Sequence, residues 1–250
     1  MMLITDPFFY LAAIPAVLLT GISKGGFAGG LGVLAVPLMA LAIPAPQAAS
    51  IMLPILCLMD LVGSWSYHKH WDYSLLRRLM PGAVLGIATG WLLFRRMDGA
   101  LLALMIGVLA ILFALQRLAG YQPKGAKWLP DGFSGTLWSA LSGFTSCLAH
   151  AGGPPIMVYL LPKQLDKTTL VANLTLFFAL VNYIKLVPYA ELGLLDARNL
   201  GTSLALAPLA PIGVYLGIWL HKRIDEKLFY TLSYLFLLVT GARLIWQALT

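Results

Sequence analysis

Charged residues are scarce in this chain: 11% of 250 positions, with ten acidic side chains against seventeen lysines and arginines. A soluble domain of this length carries about 25%, so the deficit excludes an ordinary water-soluble fold. Cysteine is nearly absent as well. Cys57 and Cys147 lie in separate apolar stretches without a CxxC spacing, which excludes a disulfide scaffold and a zinc-ribbon site and leaves two small packing residues. The chain also lacks a Walker spacing and any redox-cofactor motif, so no cofactor is expected. The N-terminus, MMLITDPFFYL, has no basic leader or small-residue cleavage site, and no cleaved signal is expected there.

What remains is apolar. Sixty per cent of the residues are hydrophobic and the mean hydropathy is +0.84, which identifies an all-α polytopic membrane protein. The net charge of +7 sits in short clusters between apolar segments. Anionic lipid and the positive-inside rule explain such clusters, and nucleic acid is not an expected partner.

Apolar segments run over 8–43, 47–67, 79–94, 99–116, 133–161, 168–190, 199–220 and 228–249. A single crossing takes about 20 residues, so the first and fifth are too long for one plain helix. Each is broken by glycine: GISKGGFAGGLG at 21–32 and SGFTSCLAHAGGPP at 142–155. The correspondence points to duplication. Gly21 and Gly143 are expected to open the breaks, Gly29-Gly30 answers to Gly152-Gly153, and Asp60 falls opposite Asn182 at the same spacing of 122. The expected organisation is a membrane repeat over 1–120, a turn-rich link over 121–132 and a second repeat over 133–250, each repeat a glycine-broken hairpin followed by three transmembrane helices.

Loop charge orients the halves. If all eight segments cross once, the loop lysines and arginines divide seven against eight. If the broken segments return to the side they entered, one side holds Lys69, Arg77, Arg78, Arg117, Lys124, Lys127, Lys163, Lys167, Lys222, Arg223 and Lys227, and the other only Arg95, Arg96, Arg198 and Arg243. That bias favours hairpins, inverted halves, a cytoplasmic basic side and termini outside. Residues 8–22 make about 22 Å of helix, so each arm is expected to be too short to span alone.

Lys24 then lies at membrane depth, where a lysine costs about 2.5–3.5 kcal/mol and needs a partner, a protein interior or a water-filled cavity. Two accounts fit: an anion site made by Lys24, glycine backbone N–H groups and half-helix N-termini, or a buried ion pair with packing glycines. The expected anion-binding residues are Ser23, Lys24, Gly25, Gly26, Gly29 and Gly30 in the first break, Ser146, His150, Gly152 and Gly153 in the second, and Asn182 and Lys185 beyond it. Asp60 and His150 are the candidate proton carriers. Asp60 would equally serve to neutralise Lys24, and His150 would equally sit neutral against a backbone carbonyl. Lys185 could snorkel outward past Tyr189 and Glu191. Gly82, Gly86, Gly90, Gly213 and Gly217 read as helix-packing positions, and His68-Lys69-His70 as an interfacial loop without a metal. Ser146 and His150 lack a third orienting group, so no catalytic residue is assigned.

The stretches GISKGGFAGGLGVLAVPLMAL and SCLAHAGGPPIMVYLLP, in corresponding places of duplicated halves, resemble the sulfite exporter TauE/SafE family of membrane permeases. The resemblance covers essentially the whole chain. It implies a transporter of small sulfur-containing anions, such as sulfite or sulfonates like sulfoacetate, in a cell membrane, and it assigns no role to Lys24, Asp60 or His150. A homodimer packed through glycine faces is compatible with the sequence.

Overall fold

A computed structural model describes residues 3–26, 32–120, 130–220 and 226–250. Most of the expected link and the basic residues Lys124, Lys127, Lys222 and Arg223 therefore lie outside the described residues. The chain forms α1 (Pro7–Gly26), a 3-10 turn at Gly32–Leu34 leading into α2 (Ala35–Met39), then α3 (Ala45–Tyr67), α4 (Tyr73–Phe94) and α5 (Gly99–Leu118). It continues as α6 (Asp131–Ala149), α7 (Gly153–Leu160), α8 (Lys167–Glu191), α9 (Ala197–Leu206), α10 (Leu209–Leu220) and α11 (Glu226–Leu249). The described residues contain no strand. Among the described residues, five stretches are long and apolar enough to cross a membrane: Pro7–Gly25, Ala45–His70, Gly99–Leu118, Thr168–Glu191 and Ala197–Leu220. Within the last, α9 gives way to α10 beside Pro208 and Pro211, which have no N–H to donate.

The scarce carboxylates mark helix ends. Asp72, Asp98, Asp166 and Asp196 each occupy an N-cap and accept a backbone N–H from the first turn. Asp6 accepts from Phe8 N before α1. Asp131 pairs with Arg78 and Lys163, and Glu191 with Arg95. Among the described carboxylates, Asp60 alone lies inside a helix, away from both ends.

Both broken segments return to the end of the bundle they entered from. Ile4 N donates to Thr202 Oγ1 at 3.4 Å and Gln47 Nε2 to Asn199 Oδ1 at 3.0 Å, so the chain leaves for α1 and comes back for α3 beside the start of α9. Asp131, where α6 begins, meets both Lys163, where the second hairpin closes, and Arg78 near the start of α4. The far end of α4 carries Arg95, which pairs with Glu191 at 3.5 Å, and Glu191 ends α8 just before α9. The two hairpins therefore open at opposite ends.

Their arms differ from expectation. Gly21 and Gly143 do not open the breaks: α1 continues through Gly21 to Gly26, and α6 through Gly143 to Ala149. With 20 and 19 residues, these arms reach roughly 30 Å, the thickness of a hydrocarbon core. Each hairpin thus pairs one long arm with one short one. The physical reason is that Gly21 and Gly143 serve helix packing. A Cβ on Gly21 would meet the Gly213 backbone of α10 at 2.8 Å, and one on Gly143 would run into the Ala83 carbonyl of α4. The principal contacts pair α1 with α10, α6 with α4, α5 with α11 and α3 with α8. Gly82, Gly86, Gly90, Gly213 and Gly217 stand at these helix contacts, as expected.

Candidate functional site

The tips of the two hairpins meet in the interior. A Cβ on Gly32 would lie 3.8 Å from the His150 carbonyl oxygen, and between the tips is a cavity of about 30 Å³. That is room for roughly two waters at 10–15 Å³ each. Its polar wall is Lys24 from α1, Asp60 from α3, Ser146 and His150 from the end of α6, and Thr175 and Asn182 from α8; Leu56, Leu174 and Phe178 form the apolar wall.

Lys24 sits in the last turn of α1, where its charge offsets the negative end of the helix dipole. It forms a salt bridge with Asp60, whose side chain is 0% exposed against 14% for Lys24. The other carboxylate oxygen accepts from Asn182 Nδ2 at 2.6 Å. Asp60 and Asn182 are thus directly bonded, and the ion-pair account of Lys24 describes its position. The pair still borders the cavity.

Lys185 does not snorkel. It is fully buried, because its ammonium finds three acceptors inside: Ser146 O at 3.0 Å, Ser146 Oγ at 3.0 Å and His150 Nδ1 at 2.7 Å. The Ser146 carbonyl belongs to the last turn of α6, so Lys185 stands at the C-terminal end of the second long arm as Lys24 does at the first. His150 Nε2 donates to Ala49 O at 2.8 Å, because a carbonyl can only accept. Nδ1 is then the acceptor for Lys185, the assignment for a neutral ring. The side chains of Ser146 and His150 both bind Lys185 rather than each other, so the two do not form a side-chain serine–histidine pair.

The second break is held rigidly. His150 caps α6 with φ 54°, a left-handed conformation uncommon outside glycine. Ser142 Oγ donates to Gly152 O at 2.7 Å and Thr145 Oγ1 to Ala151 O at 3.1 Å, satisfying carbonyls that a helix no longer serves. Tyr189 stacks on the imidazole at 6.1 Å and donates to Cys147 O at 2.7 Å. α7 offers an anion little by itself: Pro154 and Pro155 remove two N–H groups from its first turn. The positive character of the cavity comes from lysine rather than from helix N-termini.

The remaining expected site residues divide. Gly153 lines the cavity; Gly152 packs on Ser142 and Phe178. Gly25 faces α10, where a Cβ would strike the Val214 carbonyl. Ser23 is buried in α1, Gly26 ends that helix, and Gly29 and Gly30 lie outside the described residues. Thr175, Phe178, Leu174 and Leu56 were not foreseen. A helical reading of α8 could have found two of them, since Leu174, Phe178, Asn182 and Lys185 recur at spacings of four, four and three. His68–His70 forms an exposed 3-10 turn. Among the described residues no three His, Cys, Asp or Glu side chains group to hold a metal.

Long apolar helices, two hairpins opening at opposite ends and a charged cavity where their tips meet define a multi-pass membrane protein built around an interior polar site. The family model for the sulfite exporter TauE/SafE matches residues 13–244, and the chain belongs to that family of membrane transporters. No curated protein and no solved structure matches it.

Proposed function

We propose that this chain is a secondary transporter that moves small sulfur-containing anions, sulfite or organosulfonates such as sulfoacetate, out across the cytoplasmic membrane. The observation that carries this reading is the cavity between the hairpin tips, bordered by Lys24 and by the Ser146–His150 turn that holds Lys185. A buried lysine without a carboxylate partner favours an anionic guest. The reading takes the halves 1–120 and 133–250 as inverted repeats. Its support is the opposed opening of the hairpins and the exchange pattern of the packing, in which α1 on α10 answers to α6 on α4. The basic end is the cytoplasmic one and the termini lie outside. Export of an anion from a cell negative inside gains about 2.3 kcal/mol per charge per 100 mV, so the membrane potential is a sufficient driving force.

Counterflow tests this. Proteoliposomes preloaded with sulfite or sulfoacetate are expected to show saturable exchange that Lys24→Ala abolishes while the variant remains monodisperse. Flux that never saturates would make the protein a channel. Absence of exchange with either anion would overturn the substrate assignment.

A further inference from the structure

A groove of about 850 Å³ runs along the outer surface between α4 and α8, away from the cavity between the hairpin tips. Its volume falls within the range of small-molecule sites, about 300–1,000 Å³. We propose that the groove binds one anionic phospholipid of the cytoplasmic leaflet, with an acyl chain along its apolar walls and the phosphate against Arg77 and Trp71. This goes beyond the transporter reading: it takes from that reading the membrane orientation alone and nothing of the substrate.

The groove has the length of one leaflet. Trp71, Tyr73 and Arg77 line one end, and Val84, Leu85 and Leu180 the other. From Tyr73 to Leu85 is twelve residues of α4, or about 18 Å of helix. Half of a hydrocarbon core measures about 15 Å. The inner end is aliphatic, and Val84, Leu85 and Leu180 are exposed there.

The other end is equipped for a phosphate. Trp71 Nε1 is a buried donor with no hydrogen-bond partner among the described residues, and a buried donor normally finds an acceptor. The indole is fixed edge-on between the rings of His68 at 6.5 Å and Tyr73 at 6.1 Å. Asp72 N donates to Asn173 Oδ1 at 2.8 Å, which ties this corner to α8. The carboxylates at this end are engaged elsewhere: Asp72 caps α4, Asp166 caps α8, and Asp131 holds Arg78 and Lys163. Arg77 and Lys69 are both exposed and enter no ion pair among the described residues. They remain as positive charge at the mouth of an apolar groove. A guanidinium and an indole N–H are donors only, as a phosphate diester requires. A zwitterionic lipid carries the same diester but brings its own cation toward Arg77 and Lys69, so a net anionic headgroup is favoured.

The test uses the full chain, purified in detergent, delipidated and titrated with dioleoylphosphatidylglycerol or dioleoylphosphatidylcholine. Native mass spectrometry counts the lipids retained, and thermal unfolding reads the stabilisation that binding confers. One phosphatidylglycerol per chain is expected, held at least about tenfold more tightly than phosphatidylcholine. Arg77→Gln should weaken it about tenfold. Trp71→Phe, which keeps a ring and removes the N–H, should weaken it about fivefold. Arg96→Gln removes an exposed arginine at the opposite end of α4 and should leave binding at the wild-type level. Glycerol 1-phosphate, which offers the phosphate without acyl chains, should not displace the lipid. Equal retention of the two lipids overturns the site, as does phosphatidylglycerol binding unmoved by both Arg77→Gln and Trp71→Phe; either result means annular lipid only. Displacement by glycerol 1-phosphate would overturn the acyl groove. Failure here leaves the transporter reading standing, and failure of sulfur-anion counterflow leaves the lipid site standing.

Discussion

Removing either partner of the Lys24–Asp60 pair should destabilise the protein, and by unequal amounts. Lys24→Ala strands a carboxylate with a side-chain exposure of zero, with the Asn182 amide, among the described residues, left to donate to it. Loss of one partner of a buried ion pair costs about 3–5 kcal/mol, and Lys24→Ala belongs at the upper end of that range. Asp60→Ala strands a lysine that is 14% exposed and borders the cavity. Water or an anion can approach it, so this cost should fall at or below the lower end. The double variant Lys24→Ala/Asp60→Ala leaves neither member of the pair stranded, and a coupling of roughly 1–3 kcal/mol between the two sites is expected. The assay is reversible unfolding of the purified protein in detergent, read as the midpoint shift of the two single variants and the double. Additive costs in the double would refute the pair, and a larger cost for Asp60→Ala than for Lys24→Ala would refute the assignment of the more buried charge. Added sulfite should narrow the deficit of Asp60→Ala specifically, because only that variant leaves a free cation at the cavity.

Two further outcomes follow from packing and topology. Gly86→Val should lower the yield of monodisperse protein sharply, since its Cβ would run into the Ala140 carbonyl of α6, whereas Gly99→Ala should behave as wild type because nothing lies within 4 Å of the added atom; size-exclusion profiles in detergent check both. Single cysteines in a cysteine-free background at Lys69 and Arg198 should be labelled from opposite sides of the membrane by an impermeant maleimide. Labelling of both from one side would sink the opposed hairpins.

The two breaks were legible in the sequence because glycine runs and a lysine inside an apolar segment each violate what a plain spanning helix tolerates. The loop charges then gave the return of each hairpin, which the Asp131–Lys163 contact and the shared approach of Ile4 and Gln47 to α9 match. The length of the arms was not legible. Gly21 looks from the sequence like a helix breaker, and only the proximity of Gly213 shows that the residue is small so that two helices can touch. A glycine that lets helices approach and one that ends a helix are the same letter, and the difference lies in a partner some 190 residues away.

Lys185 was misjudged for a related reason. Its position four residues before Tyr189 and six before Glu191 suggests a route to the outer surface, yet the side chain turns inward because three acceptors wait there. Two of those acceptors exist only because α6 stops. The Ser146 carbonyl lies in the last turn of the helix, and His150 is held in a left-handed conformation that carries its ring toward Ala49 on one side and Lys185 on the other. The break therefore does more than interrupt a helix. It generates the negative helix end that a buried lysine can serve, just as the end of α1 does for Lys24. Each of the two long-arm ends thus carries a lysine, and among the described residues Asp60 is the one carboxylate inside a helix near them.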